Sequence, residues 1–267
     1  MKNILAASTN CYHTHTMEEA LAGIAKAGFK NLEIGAVRGW TEHLSLDATD
    51  QEVAHFKDLL KQYDLALPSV AGHTDLTTRE GLADGIKALN LCQKLGVHLM
   101  ITSVGGHASK EENKAAFMKQ IYELSDSAAD RDITLALEIH GDIMASGALS
   151  LPLLQEIGRD NVKVNYDTAN CVFYGGVEAV DDIQTILSYL AYVHLKDTAG
   201  SKGVWNFPAI GEGHVDFARL LKILDDAGYQ GPYCVEIEFQ GAPFPPTAEV
   251  DRAAKTSYET LKKLGLQ

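Results

Sequence analysis

Short apolar runs alternate with longer amphipathic segments along the whole chain, and this alternation predicts strands that are each followed by a helix. The predicted strands cover residues 3–8, 30–34, 65–70, 97–102, 133–139, 162–167, 191–196 and 233–237. Eight strand–helix repeats in 267 residues give about 33 residues per repeat, which is the size of one βαβ step.

Capping signals mark the starts of several predicted helices. A threonine or serine followed three residues later by glutamate is the pattern of a capping box, and it occurs at Thr16/Glu19, Thr49/Glu52, Thr77/Glu80 and Ser109/Glu112. The corresponding helices are predicted to end near residues 28, 63, 95 and 130. Further helices are predicted over residues 151–157, 178–189, 217–227 and 247–264.

Eight parallel strands that alternate with helices form a (β/α)₈ TIM barrel, which belongs to the α/β class. Because no linker rich in proline, serine or glycine divides the chain, we predict a single domain over residues 1–267. An open doubly wound sheet is the alternative, and it would place a ligand at one switch point. A barrel would instead bring the carboxyl ends of all strands around one centre.

Four consecutive predicted strands carry a side chain that can bind a metal at their carboxyl ends: Glu138, Asp167, His194 and Glu236. Three carboxylates and one imidazole suit one divalent metal ion, Mn²⁺ or Mg²⁺ most naturally, with Co²⁺ or Zn²⁺ possible. Each residue alone has a simpler explanation, such as an ion pair for Glu138 or a turn for Asp167. Their occurrence on four adjacent strand ends favours one shared metal site.

Strand periodicity adds candidates for substrate binding, because residues two apart share a face. These candidates are His140 above Glu138 and Lys196 above His194, together with His73 and His107 beyond the third and fourth strands. Lys196 could stabilise a developing oxyanion or hold a substrate hydroxyl, or it could form an ion pair with Glu236 or Glu238. Trp40, Phe173 and Trp205 fall in loops on the same side and could wall a pocket.

Composition narrows the possible partners and the compartment. The formal net charge is −13, which argues against binding nucleic acid or an anionic membrane. The first apolar run is too short for a signal peptide. The four cysteines form no C-x-x-C pair, so neither a disulfide framework nor a zinc ribbon is indicated. We therefore expect a soluble cytoplasmic protein that acts on a small molecule.

These strand-end motifs resemble the sugar-phosphate isomerase/epimerase family with the xylose isomerase-like barrel. The similarity is carried by residues 137–140, 166–170, 193–197, 211–213 and 235–238. The family includes ketose 3-epimerases, hydroxypyruvate isomerases and inosose dehydratases. The resemblance implies a single divalent metal at Glu138, Asp167, His194 and Glu236, with Glu138 and Glu236 as acid/base groups on opposite faces of the substrate. It also implies that Asn170 contacts the substrate, and it makes a homo-oligomer possible.

Two positions depart from the ketose 3-epimerases. Those enzymes have a histidine where Asn170 stands, and an arginine a few residues beyond the seventh-strand histidine, where this chain has Thr198-Ala199-Gly200. Both departures count against 3-epimerase specificity. Endonuclease IV shares the barrel and the pattern at His73, His107 and Glu138, but needs a further Asp-x-His pair that residues 201–206 do not contain.

The residues and the resemblance together predict an isomerase or epimerase of sugars, keto-sugars or cyclitols. A metal would stabilise an enediolate as one of Glu138 and Glu236 removes a proton beside a carbonyl. An inosose dehydratase-like lyase shares this first step and is an alternative. A sugar-binding protein without catalysis is a further alternative, which would not promote hydrogen exchange with solvent.

Overall fold

The structure is a computed structural model that describes residues 3–105, 111–239, 241 and 243–266. Eight parallel strands close into a barrel in the order of the chain. They are β1 Leu5–Ser8, β2 Asn31–Gly35, β3 Ala66–Ala71, β4 Leu99–Thr102, β5 Thr134–Glu138, β6 Val162–Asp167, β7 Leu190–Leu195 and β8 Tyr233–Val235. The prediction of a (β/α)₈ barrel is confirmed, and the open doubly wound sheet is excluded because β1 pairs with both β2 and β8.

Eight α-helices follow the described strands around the outside of the barrel. They are α1 Met17–Ala27, α2 Asp50–Tyr63, α3 Arg79–Leu95, α4 Glu111–Ala129, α5 Gly147–Ile157, α6 Ala179–Asp182, α7 Phe217–Asp226 and α8 Thr247–Lys263. The capping boxes predicted at α1 and α2 are both present. The box predicted at Ser109 lies outside the described residues.

The capping box predicted at Thr77 is wrong by one residue. The Asp75 carboxylate accepts hydrogen bonds from the Thr77 amide at 3.0 Å and the Thr77 hydroxyl at 2.6 Å, so Thr77 belongs to a turn. Thr78 takes its place as the N-cap of α3 and accepts from the Gly81 amide at 3.0 Å. The helix therefore starts at Arg79.

The continuous helix predicted over residues 178–189 is also wrong. Only Ala179–Asp182 is α-helical, and short 3₁₀ turns cover Ile183–Thr185 and Leu187–Tyr189. Several β-branched residues here lower the helix propensity. In addition, the Asp182 carboxylate accepts from the Gly147 amide at 2.6 Å, so tertiary bonds rather than helical ones fix this segment.

Residues two apart along the strands form successive layers inside the barrel. Small and large side chains fill the lower layer, which includes Ala6, Ile101, Ala136, Tyr192 and Cys234. Two residues further toward the carboxyl ends of the strands, the next layer is polar. It contains Glu138 of β5, His194 of β7 and Glu236, which directly follows β8. The main apolar core lies between the strands and the helices. The helices among the described residues are too short or too polar to cross a bilayer.

Candidate active site and metal centre

The carboxyl ends of β5 to β8 bring the four predicted metal ligands together. One donor atom from each of Glu138, Asp167, His194 and Glu236 lies within 4.8 Å of all the others, and all four residues are buried. The Nδ1 atom of His194 is central, at 3.7 Å from Glu138 Oε2, 3.8 Å from Asp167 Oδ2 and 3.7 Å from Glu236 Oε2. Three buried carboxylates around one imidazole concentrate negative charge, which needs a cation.

Two buried atoms of this cluster support the fit to a metal. Among the described residues, Asp167 Oδ2 and His194 Nδ1 have no hydrogen-bond partner. Buried polar atoms are nearly always paired, so an unpaired atom needs an explanation, and a bound ion is one. Oxygen donors and a single imidazole suit Mn²⁺ or Mg²⁺, with Co²⁺ or Zn²⁺ also compatible. The residues therefore fit one divalent cation.

The other ring nitrogen of His194 is held from behind by Glu33. His194 Nε2 lies 3.2 Å from Glu33 Oε1, and the Ser69 hydroxyl donates to Glu33 Oε2 at 3.1 Å. The Tyr192 hydroxyl lies 2.7 Å from Ser69 Oγ and extends the chain. Glu33, His194 and Cys234 also form a close group. Since Glu33 already holds Nε2, we assign this group as support for the candidate metal site rather than a second site.

Glu138 is fixed on both of its oxygens. His73 Nε2 lies 2.8 Å from Glu138 Oε2, and Asn170 Nδ2 donates to Glu138 Oε1 at 3.0 Å. Burial acts to raise the pKa of Glu138, but His73 and His194 outweigh it and hold the pKa well below its usual range. The carboxylate is therefore ionised at neutral pH.

Glu236 is fixed in a parallel way by different residues. Asn10 Nδ2 donates to Glu236 Oε1 at 3.1 Å, and Lys196 Nζ donates to Glu236 Oε2 at 3.1 Å. Burial acts to raise the pKa of Glu236, whereas Lys196 and His194 lower it below the ordinary value. Both candidate acid/base groups thus have one oxygen toward the cluster and one bonded to an asparagine amide.

Lys196 is a buried cation among carboxylates. Its Nζ donates to Glu238 Oε2 at 2.5 Å and to Asn170 Oδ1 at 3.4 Å, and it lies 3.7 Å from Asp167 Oδ2. Burial acts to lower the pKa of Lys196, but Glu238, Asp167 and Glu236 raise it well above the ordinary value. Of the two roles open from sequence, the ion pair with Glu236 and Glu238 is the one formed here.

A cavity of about 330 Å³ opens above the cluster. Its described lining consists of Asn10, Gly35, Val37, Trp40, Thr41, Ala71, His73, Ser103, Glu138, His140, Lys196, Trp205, Glu236 and Glu238. The volume lies in the range of pockets for small molecules. Both candidate acid/base carboxylates face a space that is walled by Trp40 and Trp205.

The predicted substrate-binding residues do not all take the same position. His73, His140 and Lys196 line the cavity. Asn170 is buried behind it and bonds to Glu138 and Lys196. His107 lies outside the described residues. Their binding roles stay predictions.

Sequence reasoning missed the residues that orient the site. It gave no role to Asn10, Glu33, Thr41 or Ser69. A polar residue at an inward position of a short apolar strand was the available signal for Glu33 and Ser69. Phe173, expected as a possible wall, packs against Trp205 and Phe207 at ring-centroid distances of 5.8 and 5.7 Å.

Comparison with known families decides the classification. Residues 21–264 match the model of the xylose isomerase-like TIM barrel. The chain belongs to this family. The predicted membership is therefore confirmed over most of the chain.

Two curated relatives of the chain are named as epimerases. The chain is 29% identical over 241 residues to L-ribulose 3-epimerase of Methylomonas sp. (strain DH-1), covering 82% of this chain and 77% of the relative. It is 27% identical over 256 residues to L-ribulose-5-phosphate 3-epimerase of Salmonella typhi, covering 84% and 86%. These relatives confirm the prediction of an enzyme of the isomerase/epimerase type.

Solved structures of the family show the same barrel. D-allulose 3-epimerase from Methylomonas sp. has a TM-score of 0.73 at 25% identity and covers 98% of both chains. The probable 3-DHS dehydratase from Bacillus anthracis has a TM-score of 0.74 at 15% identity, covering 98% of this chain and 99% of that one. The second likeness shows the fold alone.

Proposed function

We propose that the protein is a divalent-metal-dependent sugar epimerase that removes and returns a proton beside the carbonyl group of a ketose. The observation that carries the proposal is the pair of buried carboxylates, Glu138 and Glu236, which share one cluster and line one cavity. Epimerisation takes a proton from one face of a carbon and delivers one to the other face. Two carboxylates at one centre can supply both transfers.

The cation is proposed from the donor set, with Mn²⁺ preferred and Mg²⁺, Co²⁺ or Zn²⁺ as alternatives. Glu138, Asp167, His194 and Glu236 would hold it. When bound, it would polarise oxygen atoms beside the reacting carbon and offset the negative charge that develops there.

The protein's own residues then have distinct tasks in this scheme. Either Glu138 or Glu236 accepts the proton from carbon, and the other carboxylate returns one. Lys196 Nζ, which donates to Glu236 Oε2, would place a positive charge near the substrate oxygens that lie beside the reacting carbon. Trp40 and Trp205 would shield the site from water at the cavity wall.

The relatives support a ketose as the substrate class. The curated relatives are named for L-ribulose and its 5-phosphate, and a neighbouring structure is a 3-epimerase in complex with D-allulose. We propose a ketopentose or ketohexose with the reacting proton on carbon 3. A cytoplasmic location, a homo-oligomer and the lack of nucleic-acid or membrane partners stay predictions.

A dehydratase is the second candidate, because Asn170 departs from the pattern of the ketose 3-epimerases. The amide of Asn170 donates to Glu138 and accepts from Lys196, so both ends of this side chain are already engaged. The amide here bonds to protein side chains, where ketose 3-epimerases have a histidine that grips the sugar. A lyase would use the same proton removal and then expel a β-hydroxyl group.

Solvent deuterium incorporation tests the proposal. The metal-loaded protein is incubated in deuterated water with ketopentoses, ketohexoses and inososes, and the products are analysed by NMR. We expect Mn²⁺-dependent incorporation of deuterium at carbon 3 and a product with inverted configuration at that carbon. Glu138→Gln and Glu236→Gln should each lower turnover by at least about 100-fold, whereas the exposed Glu212→Gln should match the parent.

The outcomes separate the candidate functions. An unsaturated product that has lost water would favour the dehydratase. No exchange with any substrate, despite tight metal binding, would contradict the epimerase and favour a binding protein. Full turnover by both glutamine variants would contradict the assigned roles of the carboxylates.

A further inference from the structure

Asn10 connects three segments of the site through one side-chain amide. It lies in the 3₁₀ turn Thr9–Tyr12, directly after β1. Its Nδ2 donates to Glu236 Oε1 and to Glu238 Oε1, both at 3.1 Å. Its Oδ1 accepts from Trp40 Nε1 at 3.1 Å and from the Thr41 hydroxyl. All of its hydrogen-bonding groups are thus used between the β1, β2 and β8 ends.

The orientation of this amide is fixed by its neighbours. The carboxylates of Glu236 and Glu238 can only accept, and the indole N–H of Trp40 can only donate. A flipped amide would place Oδ1 against two carboxylates and the NH₂ group against the indole N–H. The observed orientation is therefore the one in which every contact is attractive.

Glu236 depends on this amide for its own orientation. Its Oε2 atom faces the cluster, at 3.7 Å from His194 Nδ1, while Asn10 holds Oε1 on the other side. With both oxygens fixed, the plane of the carboxylate is fixed. Removing Asn10 would leave Oε1 without this donor and let the carboxylate rotate away from the metal position.

The cavity wall at Trp40 is joined to the same amide. Val37 and Thr41 close a tight turn around Trp40, since the Val37 amide donates to the Thr41 carbonyl and the Trp40 amide to the Val37 carbonyl, both at 3.0 Å. The indole stacks on His13 with ring centroids 4.0 Å apart. The position of Trp40 is thus set by this turn and by His13, independently of Glu236.

We propose that Asn10 is the positioning residue of Glu236 and that it couples this carboxylate to the Trp40 wall of the cavity. The indole N–H acts on Glu236 only through the amide of Asn10. The expected effect of replacing Asn10 on turnover rests on the proposed function. The expected effect on metal affinity follows from the donor set alone.

Metal affinity provides the first measurement. Mn²⁺ is titrated calorimetrically into metal-free wild type, Asn10→Ala and Trp40→Phe. Residues that orient a ligand commonly affect affinity or activity about 10- to 100-fold, and we expect Asn10→Ala to raise the Mn²⁺ Kd by roughly tenfold. Trp40→Phe keeps an aromatic ring on His13 but lacks the indole donor, so it should raise the Kd by roughly two- to fivefold.

Turnover provides the second measurement. With saturating Mn²⁺, Asn10→Ala should lower kcat by roughly 10- to 100-fold while KM stays within about threefold, because the residue orients the base rather than gripping the substrate. Asn10→Ala/Trp40→Phe should match Asn10→Ala within about twofold, since the indole bond acts through Asn10. Additive losses would overturn the coupling to Trp40.

Asn3→Ala is the matched control. Asn3 also donates two hydrogen bonds from its amide, to the carbonyls of Tyr229 and Gly231, but it precedes β1 at the opposite end of the barrel. It should leave the Mn²⁺ Kd and kcat unchanged. Should Asn10→Ala fail to fold, Trp40→Phe remains testable because this side chain is 51% exposed.

The two proposals fail in different ways. Unchanged Mn²⁺ affinity and unchanged kcat in Asn10→Ala would overturn the positioning role. A lower affinity in Asn10→Ala, in a protein that exchanges no ketose proton even as wild type, would support the positioning role and contradict the epimerase.

Discussion

His194 Nε2 lies 3.2 Å from Glu33 Oε1, on the opposite side of the ring from the Nδ1 atom that faces three carboxylates. A carboxylate that accepts from one ring nitrogen leaves the other nitrogen bare for a metal and raises its basicity. Glu33 is fully buried and its Oε2 accepts from Ser69. The orientation of His194 is therefore set before any ligand binds.

Replacing this carboxylate should weaken the metal site without removing a ligand. We expect Glu33→Gln to raise the Mn²⁺ Kd by roughly 10- to 100-fold, because the glutamine amide is a weaker acceptor and has one oxygen fewer. Calorimetric titration of the metal-free protein measures this change. Ser69→Ala should shift the Kd in the same direction but less, and an unchanged Kd in Glu33→Gln would show that His194 needs no support.

Lys196 should matter most when no metal is bound. Removing one partner of a buried ion pair costs about 3–5 kcal/mol, because the remaining charge is left uncompensated. Lys196→Met would leave Glu236 and Glu238 without the cation that donates to their Oε2 atoms. We expect the free energy of unfolding of the metal-free protein to fall by about 3 kcal/mol in urea, and by less with Mn²⁺ present.

A second substitution tests this explanation. Lys196→Met/Glu238→Gln removes a carboxylate together with the cation and should regain a substantial part of the lost stability. The same single and double variants are compared with and without chelator. If Lys196→Met were as stable as the parent without metal, the buried pair would contribute nothing to the fold.

The barrel was predictable because its signals are local and repeated. Strand-length apolar runs and caps such as Thr16 and Thr49 depend on neighbours within four residues. The failures have tertiary causes. The Thr77 hydroxyl donates to Asp75, so Thr78 rather than Thr77 caps α3. Asp182 accepts a hydrogen bond from the first residue of α5, at a position where a continuous helix was predicted.

The cluster of candidate metal ligands was predictable for a related reason, but the residues that support it were not. A barrel brings every strand end to one face, so Glu138 and His194 needed only the correct topology to meet. Asn10 and Glu236 are 226 positions apart in the sequence, and Glu33 and His194 are 161 positions apart. Those pairings depend on the register between strands and on the path of loops, which no local pattern encodes.

Asp197 organises the loop that follows β7. Its carboxylate accepts from the amides of Gly211 and Gly213 at 2.8 and 2.9 Å through Oδ2, and of Thr198 and Val215 at 2.9 and 3.1 Å through Oδ1. This buried carboxylate therefore fixes the segment 211–213, which is one of the segments that carry the family resemblance. The same loop carries Trp205 to the cavity.

Asp197→Asn should therefore destabilise the protein although it is nearly isosteric. The new NH₂ group would face two amide donors and leave them unpaired, which costs about 1–3 kcal/mol. We expect a lower urea midpoint and, because Trp205 shifts, a higher KM. Asp225→Asn changes an exposed carboxylate on α7 and should leave both unchanged; an equal effect of the two variants would argue against a role for the loop.

The charge around the cavity distinguishes a free sugar from a sugar phosphate. Lys196 is the one lysine or arginine among the described residues that line it, and it is already paired with Glu236 and Glu238. Arg38 lines an adjacent cleft, where its guanidinium pairs with Asp47 and Asp84. A phosphate group carries close to two negative charges at neutral pH, and it would meet three carboxylates but no unpaired lysine or arginine among the described lining residues.

We therefore predict that the enzyme prefers an unphosphorylated ketose. The kcat/KM for a free ketopentose should exceed that for its 5-phosphate by at least about tenfold, since like charges at short range raise the cost of binding by more than 1 kcal/mol. Glu238→Gln removes the carboxylate that is not a proposed metal ligand and should narrow this difference, mainly through KM. A preference for the 5-phosphate would contradict the prediction.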